Sequence, residues 1–387
     1  MITKPRVLVT LAGLIALGGA ALAGCTSASS PSSASSPSSA SAASTTSPLS
    51  DAAESNPNID LGTPLGNTPA PNFQLVNQFG QATSLSQFRG KVVLLSFEDA
   101  ECTDVCPLTT QSMVIAKELL GKAGDSVQLL GVDVNAGASA VSDVMSYSRV
   151  HGMVNEWDFT TGPVAALKKV WTSYHIEVQV EQGNIDHTPA LFVINANGQE
   201  QKVYLTQMSY SGVGQSAQVI AQEVASLLPS HPKLSSLESL AAIPPVDPTV
   251  AATLPSADGG AAVKLGPGKP RLVAFFASWD SEVSDLPAEL KALNAYAKAA
   301  QAQHLPELTA VDEAVTEPTS TSVDAVLKDA GPLAYQVGVD QTGRLADGYG
   351  VQDQPWLVLV NAAGKVTWSH DGWLPESAIA AAAKAHP

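Results

Sequence analysis

Two cysteines four residues apart, Cys102 and Cys106, lie in Glu101-Cys102-Thr103-Asp104-Val105-Cys106-Pro107, just after the apolar run Val92 to Phe97. If the loop between them is helical or nearly so, this spacing puts both side chains on one face, with Cβ atoms about 5–6 Å apart. Two thiolates at that separation can grip one soft metal ion, or close a disulfide after a small backbone adjustment. A loop leading into a helix N-terminus favours thiolate over thiol. The plainer alternative is a pair of small core residues. The polar neighbours Glu101, Thr103 and Asp104 argue against it. The chain has three cysteines in 387 residues, so disulfides do not staple its fold.

The third cysteine belongs to a different chemistry. Cys25 closes Leu22-Ala23-Gly24-Cys25, which reads as a bacterial lipobox. Lys4 and Arg6 precede an uncharged apolar run from Val7 to Ala23, the layout of an export signal over residues 1–24. A plain transmembrane anchor needs about 20 apolar residues and is the alternative. It gives no reason for the small residues before Cys25. Cys25 is therefore expected to carry lipid at the outer face of the bacterial cytoplasmic membrane. Residues 25–55 then form a tether, because the Ser/Ala/Thr/Pro stretch from Thr26 to Ser50 cannot bury enough apolar surface to order itself.

A formal net charge of −16 speaks against nucleic acid and against non-specific binding to anionic lipid. The length allows two folded domains at about 100–200 residues each, and a hydrophobic fraction of 45% can fill their cores.

The elements that must position the cysteines occur twice. In the first copy, Gly90-Lys91 leads into a buried strand through Phe97, then the cysteine loop, then a helical stretch from Leu108 to Leu120. A second strand follows Pro189 and ends at Asn195-Ala196-Asn197-Gly198. In the second copy, Gly268-Lys269 leads into a strand through Phe276, then the loop at Trp279, then a helical stretch from Leu286 to about Ala300. Its second strand follows Pro355 and ends at Asn361-Ala362-Ala363-Gly364. Proline at a strand entrance removes a ladder donor and belongs at the first residue or in a cis turn, so Pro189 and Pro355 are cis-proline candidates. Val127 to Val134 and Leu308 to Asp312 read as further strands, and Val141 to Val150 and Val164 to Tyr174 as helices. Strands alternating with helices imply an α/β architecture, a central sheet flanked by helices. The expected domains are residues 56–230 and 259–387, joined by a Pro-rich linker over 231–258.

Both copies resemble thioredoxin-fold domains. The first resembles the Sco/SenC family over most of its length, through Ala70-Pro71-Asn72-Phe73, Leu85-Ser86-Gln87-Phe88-Arg89-Gly90-Lys91, Cys102-Thr103-Asp104-Val105-Cys106-Pro107 and Asp186-His187-Thr188. The second has Trp279-Asp280-Ser281-Glu282-Val283 where related reductases carry Trp-Cys-x-x-Cys, so it has no redox sulfurs. Asp280 and Glu282 are expected to be solvated loop residues.

The resemblance implies that the loop before Pro189 faces the cysteine loop, which brings His187 beside Cys102 and Cys106. Two thiolates and an imidazole suit Cu(I) and adapt to Cu(II). Structural zinc usually takes four protein ligands. Asp104 and Asp186 then either tune the ligands or are solvated. The implied role is copper delivery to the binuclear copper centre of a cytochrome oxidase subunit, or to another copper or thiol protein. The rival is thiol–disulfide exchange catalysed by the same Cys102 and Cys106. Asp133 matches an aspartate of the family, but Val134 stands where the family has proline, so the resemblance gives it no clear role; the remaining histidines, His151 among them, read as structural or surface residues.

Overall fold

The computed structural model describes residues 60–181, 184–234 and 251–386. The segment read as an export signal, Cys25, the segment read as a tether and most of the stretch read as a Pro-rich linker lie outside the described residues. The described residues form one compact unit. Among the described residues no helix is long and apolar enough to cross a membrane.

The first half runs β1 (Thr63–Pro69), β2 (Gln74–Val76), β3 (Ala82–Ser84), β4 (Val92–Glu98), α1 (Val105–Leu119), β5 (Val127–Asp133) and α2 (Val141–Val150). It continues with β6 (Trp157–Thr160), α3 (Val164–Ser173), β7 (Val178–Glu181), β8 (Asn184–His187), β9 (Ala190–Ile194), β10 (Gln199–Leu205) and α4 (Val213–Leu227). The main sheet has the order β1-β10-β9-β4-β5-β6. β4, β5 and β6 are parallel, and β9, β10 and β1 antiparallel. Every residue of β4 is buried because both faces of the sheet are covered. Val92 and Leu94 join the core under α1 and α4. Val93, Leu95 and Phe97 join the opposite core under α3, as the two-residue period of a strand requires.

The second half runs β11 (Ala252–Leu254), β12 (Val263–Leu265), β13 (Arg271–Phe276), α5 (Leu286–Gln303), β14 (Glu307–Asp312) and α6 (Ser322–Ala330). β15 (Gln336–Val339), α7 (Arg344–Tyr349), β16 (Trp356–Val360), β17 (Val366–Asp371) and α8 (Glu376–Ala385) complete it. Its sheet, β15-β14-β13-β16-β17, repeats the order and directions of β6-β5-β4-β9-β10. The chain is two tandem thioredoxin-like folds. The repeated hairpins close alike: Gly198 and Gly364 adopt φ of 69° and 80°, where a side chain would be strained. Their N–H groups donate to the Asn195 and Asn361 carbonyls. β11 falls inside the stretch read as linker, yet it pairs with β12 and buries Leu254.

The two folds share a core. Leu108, Tyr210 and Val213 of the first pack with Val273, Phe275 and Val358 of the second. Asp347 in α7 accepts from Ser209 Oγ (2.9 Å), Tyr210 N (2.8 Å), Ser211 N (3.1 Å) and Ser211 Oγ (2.5 Å). This contact overturns the solvated reading of the loop at Trp279. Asp280 is fully buried, and its Oδ2 accepts from Ala277 N (3.1 Å). Glu282 accepts from Ser146 Oγ of the first fold (3.0 Å). Trp279 lies against His151, ring centres 5.3 Å apart. The loop, which carries no cysteine, lies at the interface between the two folds.

Candidate metal centre

The cysteine loop begins where β4 ends. Asp99 holds it at both ends: its carbonyl accepts from Cys102 N (3.2 Å), and its side chain accepts from Glu101 N (2.8 Å) and Asn135 Nδ2 (2.8 Å). Asp104 caps the helix that follows, accepting from Val105 N. α1 thus starts three residues before Leu108, and Cys106 lies in its first turn. Pro107 is tolerated there because first-turn N–H groups have no intrahelical acceptor.

Both cysteines are free thiols. Cys106 is fully buried; Cys102 is half-buried at the cleft edge. The Cys102 thiol donates to Asp104 Oδ1 (2.8 Å), and Cys102 Sγ accepts from Cys106 N (3.3 Å). The expected thiolate is not what this setting favours. Burial pushes Cys102 up to about 12; contact with Cys106 opposes that shift and the Asp104 charge adds to it. Burial also holds Cys106 well above the usual thiol range, with Cys102 and Glu98 adding to it. Desolvation outweighs the helix N-terminus.

His187 is delivered by the β7–β8 hairpin, in which it pairs with Val178, and Thr188 N donates to the Glu177 carbonyl (3.1 Å). Its Nδ1 is 3.1 Å from the Thr188 carbonyl. A carbonyl only accepts, so Nδ1 carries the proton and Nε2 presents its lone pair. That lone pair faces Cys106 Sγ at 3.7 Å. Burial holds the imidazole below its ordinary pKa, against smaller opposing effects from Thr188 and the nearby aspartates. The neutral ring is therefore favoured, the form that binds metals.

The remaining candidates divide. The hydrogen bond of His187 goes to Thr188 rather than to Asp104 or Asp186; Asp186 is exposed and lines the cleft. Asp104 touches Cys102 instead. Asp133 is buried, accepts from Asn135 N (2.8 Å) and Thr161 Oγ1 (3.0 Å), and is pushed up by burial to about 8. Gln354–Pro355 is a cis bond, whereas Thr188–Pro189 is trans. The trans bond follows from its frame: Thr188 N is tied to Glu177, and the Thr188 carbonyl accepts from Ala190 N (2.9 Å). One residue was missed. Glu98 ends β4 beneath Cys106, is fully buried, and neither of its oxygens has a hydrogen-bond partner. Burial raises it to about 8. A carboxylate closing a buried strand that is apolar except for Ser96 was its sequence signal.

Among the described residues no three His, Cys, Asp or Glu side chains converge as a ready-made metal site. Cys106 and His187 already face each other, and Cys102 is turned toward Asp104. Turning Cys102 back would give a donor set of two sulfurs and one nitrogen, which fits a soft or borderline ion. The site opens into a cleft of about 300 Å³ that also reaches Asp353 and Asp371 of the second fold.

Residues 63–226 match the family model described as SCO1/SenC. Among solved structures, apo Sco1 from Thermus thermophilus is 27% identical over 44% of this chain and 98% of that one, with a TM-score of 0.37. Copper-bound ScoI from Bradyrhizobium japonicum is 22% identical over 42% of this chain and 100% of that one, with a TM-score of 0.35. BsSco, described as a member of the Sco family of cytochrome c oxidase assembly proteins with a disulfide switch, is 23% identical over 43% of this chain and 96% of that one, with a TM-score of 0.36. No curated protein matches the chain.

Proposed function

From the premise that residues 63–226 form an SCO1/SenC domain, we propose that this protein binds copper through Cys102, Cys106 and His187 and hands it to a recipient outside the cytoplasmic membrane. The recipient is the copper-centre subunit of a cytochrome oxidase, or another copper or thiol protein. Lipid on Cys25 holds the chain at the membrane, and the segment to residue 55 gives it reach. The observation that carries the reading is the lone pair of His187 Nε2 directed at Cys106 Sγ, 3.7 Å away.

Each protein group has a task in this transfer. The Thr188 carbonyl fixes the His187 tautomer before any ion arrives. The two thiols must lose their protons on binding, so affinity falls with acid. Asp104 already accepts a hydrogen bond from the Cys102 thiol. Cys102, at the cleft edge, is the ligand a partner thiolate reaches first; buried Cys106 releases last. Copper thus passes from one sulfur pair to another without being freed.

Thiol–disulfide exchange is the second reading, supported by the contact between the two thiols. A transfer assay separates the two. Copper-loaded protein is mixed with the metal-free copper domain of the oxidase from the same organism, whose cysteines are already reduced. Appearance of that domain's copper absorption supports delivery. Its absence, with disulfide-bearing domain reduced instead, would establish the exchange reading.

A further inference from the structure

We infer that the second fold forms the far wall of the dithiol cleft and, through Asp353 and Asp371, selects a basic, cysteine-bearing polypeptide segment as the partner that enters. The inference rests on the dithiol reading above, but not on copper.

The cleft is lined by Asp99, Glu101, Asp104 and Asp186 from the first fold and Asp353 and Asp371 from the second, and among the described residues no lysine or arginine lines it. The second-fold residues are held there by the fold. The Thr103 side chain, between the two cysteines, lies beside the Asp353 carboxylate and favours its charge. Asp353 also accepts from Gln354 N (2.7 Å). Gln354 is buried, and its Nε2 donates to Tyr210 Oη of the first fold (3.2 Å). Gly372 N donates to the Pro355 carbonyl (2.9 Å), tying the end of β17, where Asp371 sits, to the same loop. The cleft is too open and too polar to grip an apolar ligand, and its sulfur edge is Cys102. A partner sulfur flanked by basic side chains meets charge of the right sign on both walls, and one flanked by acids is repelled.

The test uses the full reduced chain in detergent with Cys25→Ser, so that only Cys102 and Cys106 react. Three disulfide-linked dimers of capped peptides serve as oxidants: Lys-Cys-Lys, Ser-Cys-Ser and Glu-Cys-Glu. A cleft thiolate attacks one peptide sulfur and releases one peptide thiolate. The other protein cysteine displaces the second, leaving an intramolecular disulfide and two reduced peptides. Rates are divided by those of dithiothreitol with the same peptides. The basic peptide should react fastest and the acidic one slowest, and high salt should erase the order. A pair of unit charges about 7 Å apart in water changes a rate by roughly threefold.

Asp353→Asn with Asp371→Asn should slow the basic peptide and speed the acidic one by about that factor per charge, leaving the neutral one unchanged. Asparagine keeps an acceptor for Gln354 N, so the loop stays in place. An equal effect on all three peptides, or none, overturns the inference. Copper titration of the same wild-type protein is the independent arm: its failure would sink the copper reading and leave the peptide order standing.

Discussion

Asp347 joins the two folds, and Asp347→Ala should loosen that joint by an amount the structure sets. Four donors from the first fold end on this one carboxylate, two of them backbone N–H groups, at Tyr210 and Ser211. The serine hydroxyls can turn to water, but the backbone donors cannot move without breaking the Tyr210–Gly212 turn. A hydrogen bond to a charged group contributes about 1.5–3 kcal/mol. Asp347 is half-buried, so water recovers part of each loss. Two stranded donors therefore cost about 2–4 kcal/mol. With a urea dependence near 3 kcal/mol/M, the midpoint should fall by about 1 M. Asp347→Asn keeps one acceptor oxygen and should lose about half as much. Far-UV circular dichroism and tryptophan fluorescence should follow one transition in the wild type, because Tyr210 and Val273 share a core. In the alanine variant the two signals should separate. A midpoint unchanged within about 0.2 M, with the signals still coincident, would refute the view that Asp347 joins the folds.

Three further outcomes follow from the same geometry. Gly343→Ala should cost about 2–4 kcal/mol, because its φ is 66° and a Cβ would lie 2.5 Å from Tyr210 backbone and side-chain carbon; thermal unfolding reads this out. Glu98, with a folded pKa near 8 against an ordinary 4.5, keeps its proton in the fold while the unfolded chain ionises. Its contribution is full below about pH 4.5, declines as pH rises and is exhausted near pH 8, so Glu98→Gln should flatten that slope and leave the variant more stable at pH 8, on the order of 2–4 kcal/mol. An unchanged slope in urea titrations across that range would contradict the burial argument. Thr188 acts on His187 through its backbone carbonyl alone, so Thr188→Ser should leave copper affinity within about threefold, whereas His187→Gln should lower it by at least tenfold.

Much of the fold was legible because the two copies carry the same marks: an apolar strand entered from Gly-Lys, a helix after a short loop, and an Asn-Ala-x-Gly turn. Those signals are local. A helix start set by a cap, such as Asp104 before Val105, moved the boundary of α1 by three residues. The β7–β8 hairpin that carries His187 was not read, although Val178 and Val180 alternate across from Ile185 and His187. What stayed illegible depended on packing between distant segments. Asp280 is polar and sits in a loop, so nothing local says that it is fully buried. The thiol state of Cys102 and Cys106 was misjudged for the same reason, since a helix N-terminus is visible in sequence and desolvation is not.

Copper binding by Cys102, Cys106 and His187 is measured by anaerobic Cu(I) titration of the reduced full chain carrying Cys25→Ser, against a competing chelator. His187→Ala and the double variant Cys102→Ser, Cys106→Ser are run beside it. One tightly bound copper is expected, weakened by loss of the imidazole and abolished by loss of both sulfurs, with affinity falling as pH is lowered. Equal affinity in the His187→Ala protein would remove His187 from the site. No copper at all, alongside a readily reversible Cys102–Cys106 disulfide, would contradict copper delivery and leave a thiol oxidoreductase in its place.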